Sequence, residues 1–192
     1  REDSHMYLGS LTQRLKRRSV SILYAISLLP LGLIAASVED LRFEIIDDQA
    51  VVTKCDQSAE GSLVIPDTYA GYPVTRIGYR ALNYCSNLTS ITLPDSLVSI
   101  GPAAFDGTPV SLASSGAFQY LSTASAVFIV DASAATGAVQ VPATIDGLPV
   151  KSANAFTWNS NITSIELPIG ITQIDDYAFS GCSKLASVTL PE

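Results

Sequence analysis

Three cysteines, a single histidine and two pairs of adjacent aspartates are the residues of this 192-residue chain best suited to chemistry. The histidine, His5, precedes the only methionine, Met6. A chain starting at Met6 has no imidazole, which excludes Ser-His-Asp and Cys-His nucleophilic catalysis and most zinc sites. Cys55, Cys85 and Cys182 form no C-x-x-C pair, so neither a thioredoxin-like nor a zinc pattern is present. Cys85 and Cys182 fall at equivalent positions of an internal repeat, where a small side chain lines a turn. They are expected several coils apart, too far for a bridge, and Cys55 is expected to be unpaired. Asp47-Asp48 and Asp175-Asp176 read as turns or solvated loops, since no D-x-D-x-D-G calcium loop accompanies them. Asn87-Leu-Thr89 and Asn161-Ile-Thr163 match the glycosylation acceptor pattern, but the repeat itself accounts for both. No catalytic residue, cofactor or metal is expected, and the chain is not expected to be an enzyme.

Charge narrows the partners. Five of the eleven basic residues lie in the first 18 positions, and from Val38 onward 6 Lys and Arg face 16 Asp and Glu, a net charge of −10. So acidic a surface repels phosphate backbones, and no nucleic-acid partner is expected.

The basic cluster Arg14-Leu-Lys-Arg-Arg18 runs into an uncharged apolar stretch, residues 19–36, that ends in small residues. A charged start, an apolar middle and a small-residue exit form a secretory signal. Residues 1–37 are therefore assigned to upstream residues and this signal. Cleavage near Ala36 or Ser37 is expected, with an uncleaved anchor as the alternative. Either route leads to a secreted or cell-surface location, with the membrane touched only through this segment.

The elements that must position everything else come from repetition. Leu88-Thr-Ser-Ile91-Thr-Leu93-Pro94 recurs 74 positions later as Ile162-Thr-Ser-Ile165-Glu-Leu167-Pro168. Within each copy a 23-residue period returns Ile77…Ala81-Leu82 as Ile100…Ala104-Phe105, and Ala155-Phe156 as Ala178-Phe179. Ile91 and Leu93 share one face of a short strand, and Pro94 ends it. Leu97 and Ile100 return to the same core from the opposite wall, and Ala104-Phe105 mark a tight turn or short helix. One coil cannot bury its apolar face alone; stacked coils can. Phe43–Thr53 and Phe118–Val130 read as hairpins opening each copy, and residues 106–116 as the joint between them. The expected fold is a right-handed, mainly β solenoid of leucine-rich-repeat type with short helical or 3-10 turns. The first unit spans 38–117 and the second 118–192, cut in mid-repeat, so further coils or domains are expected after Glu192.

Val64-Ile-Pro-Asp…Gly71-Tyr-Pro-Val-Thr-Arg-Ile-Gly78…Ala81-Leu82…Cys85-Ser-Asn-Leu88-Thr-Ser-Ile-Thr-Leu-Pro94 resembles the BspA-type leucine-rich repeat family, as does Ile174…Ala178-Phe179-Ser-Gly-Cys182-Ser-Lys-Leu185. The resemblance implies a right-handed solenoid, export, and adhesion or protein binding without catalytic residues. Two departures stand out. Leu82 replaces the usual Phe, and Ser152-Ala-Asn154 replaces the Ile-Gly before the third Ala-Phe.

Tyr69, Tyr72, Tyr79, Tyr84 and Trp158 fall at variable or inserted positions, and Tyr and Trp are enriched in binding hot spots. They are the candidate binding surface for a protein or glycan ligand on another cell or matrix. The rival readings are a structural spacer in a larger surface protein, or an accessory region of a larger exported enzyme.

Overall fold

The computed structural model describes residues 35–191; the apolar segment assigned to a signal lies outside them except for Ala35 and Ala36. Among the described residues no helix is long and apolar enough to cross a membrane.

The first copy contains β1 (Leu41–Ile46), β2 (Gln49–Cys55), β3 (Glu60–Val64), β4 (Thr68–Tyr69), β5 (Tyr72–Ile77), β6 (Asn87–Thr92) and β7 (Ser99–Ile100). The second contains β8 (Ala113–Ser115), β9 (Phe118–Ser122), β10 (Val127–Asp131), β11 (Gly137–Gln140), β12 (Thr144–Ile145), β13 (Leu148–Ala153), β14 (Ile162–Glu166) and β15 (Ser187–Thr189). Each copy opens on an antiparallel hairpin, β1–β2 or β9–β10. The expected joint at 106–116 contains β8, which pairs with β9 and so already belongs to the second sheet.

Parallel pairing stacks the coils. One wall of the first copy is β2–β5–β7 and the other β3–β6; the second copy repeats them as β10–β13 and β11–β14–β15. The three-residue spacing of Leu88 and Ile91 has a structural cause. Gly61 pairs with Leu88 but Ser62 pairs with Ser90, so Thr89 is an extra residue in the ladder. Thr163 is skipped in the same way between Ile162 and Ser164. The bulge turns an odd spacing into one buried face.

The Ala-Phe segments are hydrogen-bonded turns; the one helical element among the described residues is the 3-10 turn Val38–Asp40. The turns stack by backbone bonds, as Leu82 N–H to Ala104 O (2.8 Å) and Tyr84 N–H to Asp106 O (2.7 Å) show. The Ile-Gly motif is explained by approach. A Cβ on Gly101 would lie 2.7 Å from the Tyr79 nitrogen and 2.8 Å from the Gly78 carbonyl carbon, so only hydrogen fits.

The apolar core is divided in two, largely copy by copy, but Phe128 of β10 and Ala126 just before it belong to the first copy's cluster. Val127 and Ile129 point into the second core, and β10 is buried on both faces. A single continuous stack does not produce this. The contact order between the copies also runs backwards. Counting coils by their strands along this wall, β2, β5 and β7 and then β10 and β13, Ile100 of the third coil bonds Ser152 of the fifth, its N–H donating to the Ser152 Oγ at 3.3 Å. Arg76 of the second coil meets Asp175 of the sixth at 3.8 Å. In one continuous stack those last two would be separated by four strand spacings of ~4.8 Å. The solenoid therefore folds back, and its β2–β5–β7 wall lies against the corresponding wall of the second copy.

Candidate binding face

Two adjacent positions of each Ala-Phe turn decide what the coils present. The residue three places after the Ala is Tyr84, Gly107, Trp158 or Gly181 in successive coils, and all four have positive φ, between 58° and 75°. Glycine adopts this conformation freely, whereas a bulky side chain there is an outlier. In each copy the aromatic comes first and the glycine next. The Tyr84 ring lies on Gly107, where an added Cβ would be 2.6 Å from its Cδ1, and the Trp158 ring lies on Gly181 at 2.3 Å from its Cε3. The glycine is thus needed for the ring to lie flat. The rings are otherwise open: Tyr84 is 62% and Trp158 69% exposed.

The next residue is Cys85, Thr108, Asn159 or Cys182, and each reaches back one coil. Cys85 Sγ–H donates to Asp56 O at 3.6 Å, Thr108 to Leu82 O, Asn159 Nδ2 to Ala132 O and Ala135 O at 2.8 and 2.9 Å, and Cys182 Sγ–H to Phe156 O at 2.9 Å. These side chains line the turns. Burial pushes the Cys85 and Cys182 thiols above their ordinary pKa.

The BspA type leucine rich repeat region matches residues 60–125 and 151–192, more than half of the chain, in six copies. The chain belongs to the BspA-type leucine-rich repeat family. No curated protein matches it. Among solved structures it is similar to a leucine-rich repeat protein of T. pallidum, with 18% identity over 82% of this chain and 83% of that one and a TM-score of 0.36. It is also similar to a leucine-rich repeat protein from Bacteroides capillosus, with 22% identity over 80% and 95% and a TM-score of 0.35. A leucine-rich cell surface protein from Faecalibacterium prausnitzii shares 21% identity over 78% of this chain but 37% of its own, with a TM-score of 0.34.

The candidate aromatics of this BspA-type chain do not form one site. Tyr72 is half-buried against the first core. Tyr69 stacks on Phe43 with centroids 4.1 Å apart and planes 12° from parallel, which ties the inserted turn to the first hairpin. Tyr79 lies 5.0 Å from the ring of Tyr177, and the Arg80 guanidinium sits 5.2 Å from the Tyr79 centroid. Tyr177 belongs with the candidates, being 60% exposed. Its place beside the Ala178-Phe179 pair hid it, because nothing local marks a residue whose partner lies on the other copy.

Tyr79 and Tyr177 border a cleft of about 220 Å³ along the seam, together with Val51, Arg76, Gln173 and Asp175. Asp175 is no solvated turn. Its carboxylate accepts from Asn154 Nδ2 at 2.7 Å and from Gln173, and its N–H donates to Asn154 Oδ1 at 3.1 Å. The other pair, Asp47-Asp48, is the exposed turn expected, with φ of 49° and 58°.

Cys55 is a free thiol, as expected, and so are Cys85 and Cys182, but distance is not what keeps it unpaired. The structure places it beside Cys85: both Sγ–H groups donate to Asp56 O, at 3.4 and 3.6 Å. Burial, and then the Cys85 thiol, push the Cys55 thiol well above its ordinary pKa.

Proposed function

We propose that this BspA-type solenoid is an exported, non-catalytic binding module that engages a protein or glycan ligand at the cell surface. The observation that supports it best is the pair Tyr84 and Trp158. Each is a large aromatic in a left-handed turn conformation, laid flat on the next coil's glycine with its other face open. Neither belongs to the core clusters, so packing does not account for them. Side-chain planes fixed in this way lose little rotamer freedom on contact, which favours affinity. The apolar segment 19–36 behind its basic cluster supports export.

The test is binding of the purified chain to immobilised matrix glycoproteins and to a panel of oligosaccharides, compared with Tyr84→Ala/Trp158→Ala. The expected result is a Kd at least roughly tenfold weaker for the double variant, as for loss of hot-spot residues, with an unchanged unfolding midpoint. Equal binding by both proteins would take the site away from Tyr84 and Trp158, and no binding at micromolar concentration would leave the structural-spacer reading in its place.

A further inference from the structure

We propose that Cys55 and Cys85 form a disulfide bond that staples the opening hairpin to the second coil. The two residues are thirty positions apart in sequence but occupy successive coils. Cys55 ends β2, and its N–H donates to Ala81 O at 2.6 Å, so its backbone is already joined to the turn that carries Cys85. The side chains converge as well. Both are free thiols in this structure and donate to one acceptor, Asp56 O, at 3.4 and 3.6 Å. Cys182 has no such neighbour among the described residues; its thiol bonds the Phe156 carbonyl instead.

Both sulfurs lie in the first core cluster, yet a route to them exists. Cys55 borders a surface cavity of about 330 Å³, lined also by Asp40, Arg42, Lys54 and Asp56. Among the described residues the hairpin is the outermost element of its stack, where local opening is least costly. The oxidant is a small-molecule or protein disulfide. The Cys55 sulfur attacks it, forming a mixed disulfide and releasing one reduced thiol. Cys85 then displaces the second thiol, so the S–S bond forms between the two residues. The two thiol protons end on the two released thiols, and the oxidant gains two electrons. Burial keeps both cysteines protonated, so the exchange is slow in the folded state and fast while the hairpin docks.

The test is refolding of the full chain in a buffer of reduced and oxidised glutathione, followed by alkylation and peptide mapping without reductant. The expected result is one intramolecular link, Cys55 to Cys85, with Cys182 alkylated, and the same link in Cys182→Ser. The unfolding equilibrium constant should fall on the order of 100-fold or more relative to the dithiothreitol-reduced protein, as closing a loop of this length implies. A link to Cys182, glutathione adducts alone, three free thiols, or an oxidised form no more stable than the reduced one would overturn the proposal. Export would bring the chain to an oxidising compartment, but the refolding result does not depend on it.

Discussion

The two copies share one repeat and solve two problems differently. In the first copy the slot three residues before the turn Ala is glycine, Gly78 and Gly101; in the second it is Ser152 and Asp175. Gly101 lets successive coils approach. The polar pair reaches sideways: Ser152 to the Ile100 backbone, Asp175 to Arg76. One copy thus offers bare backbone and the other supplies hydrogen-bonding side chains. The inserted turns differ too. The first is held to its hairpin by Phe43 stacked on Tyr69, the second by the Tyr120 hydroxyl donating to Asp146. Identical coils need not dock identically, because positions that stacking leaves free can be spent on the seam.

The largest expected effect comes from removing the seam's donor. Asn154 is buried and bonds Ile100 O, Ser152 Oγ and both the carboxylate and N–H of Asp175. Asn154→Ala leaves those groups short of partners and should cost about 3 kcal/mol in denaturant unfolding. Gly101→Ala strikes the first copy's solution instead. Its methyl group would press on the Gly78–Tyr79 backbone, and a loss of about 2 kcal/mol is expected from the same measurement.

The paired locks should separate by pH. The hydrogen bond to Asp146 holds the Tyr120 hydroxyl above its ordinary pKa. A raised tyrosine pKa favours folding while the hydroxyl is neutral. That contribution is complete below the unfolded value of about 10 and is lost as pH rises through the folded one. Thermal unfolding of Tyr120→Phe should therefore fall less between neutral and strongly alkaline pH than that of the parent. Phe43→Ala in the first copy should keep the parent's pH dependence while lowering stability throughout.

Smaller effects remain. Arg76→Gln removes a partly exposed ion pair, and a loss below about 1 kcal/mol that shrinks with added salt is expected. Trp158→Gly should be neutral or slightly stabilising, by up to about 1 kcal/mol, because glycine adopts the 64° φ without strain. If the same variant loses ligand, strain is being retained for binding.

Much of this was legible in the residues. The period, the two walls, the opening hairpins and the turn-lining role of Cys85 and Cys182 follow from spacing, because each is set by neighbouring coils. The turn back was not, since a repeat pattern reports only what one coil does to the next. Its trace was present as a departure: Ser152-Ala-Asn154 breaks the Ile-Gly rule where the seam needs polar side chains. Asp175 read as a solvated turn for the same reason, its partners being Asn154 in the previous coil and Arg76 in the other copy. Cys55 lay outside the turn repeat, so its approach to Cys85 needed the hairpin's docking geometry.

The turn back is the central claim, and residues 79 and 177 test it most directly. Their rings are 5.0 Å apart although the side chains belong to different copies. The variant Tyr79→Cys/Tyr177→Cys, treated when dilute with a short bifunctional thiol reagent and mapped by peptide mass, should give one intramolecular link between those two positions. A continuous, unfolded-back stack would hold them about four coil spacings apart. Links only between molecules, or none under conditions that label both thiols, would contradict the account.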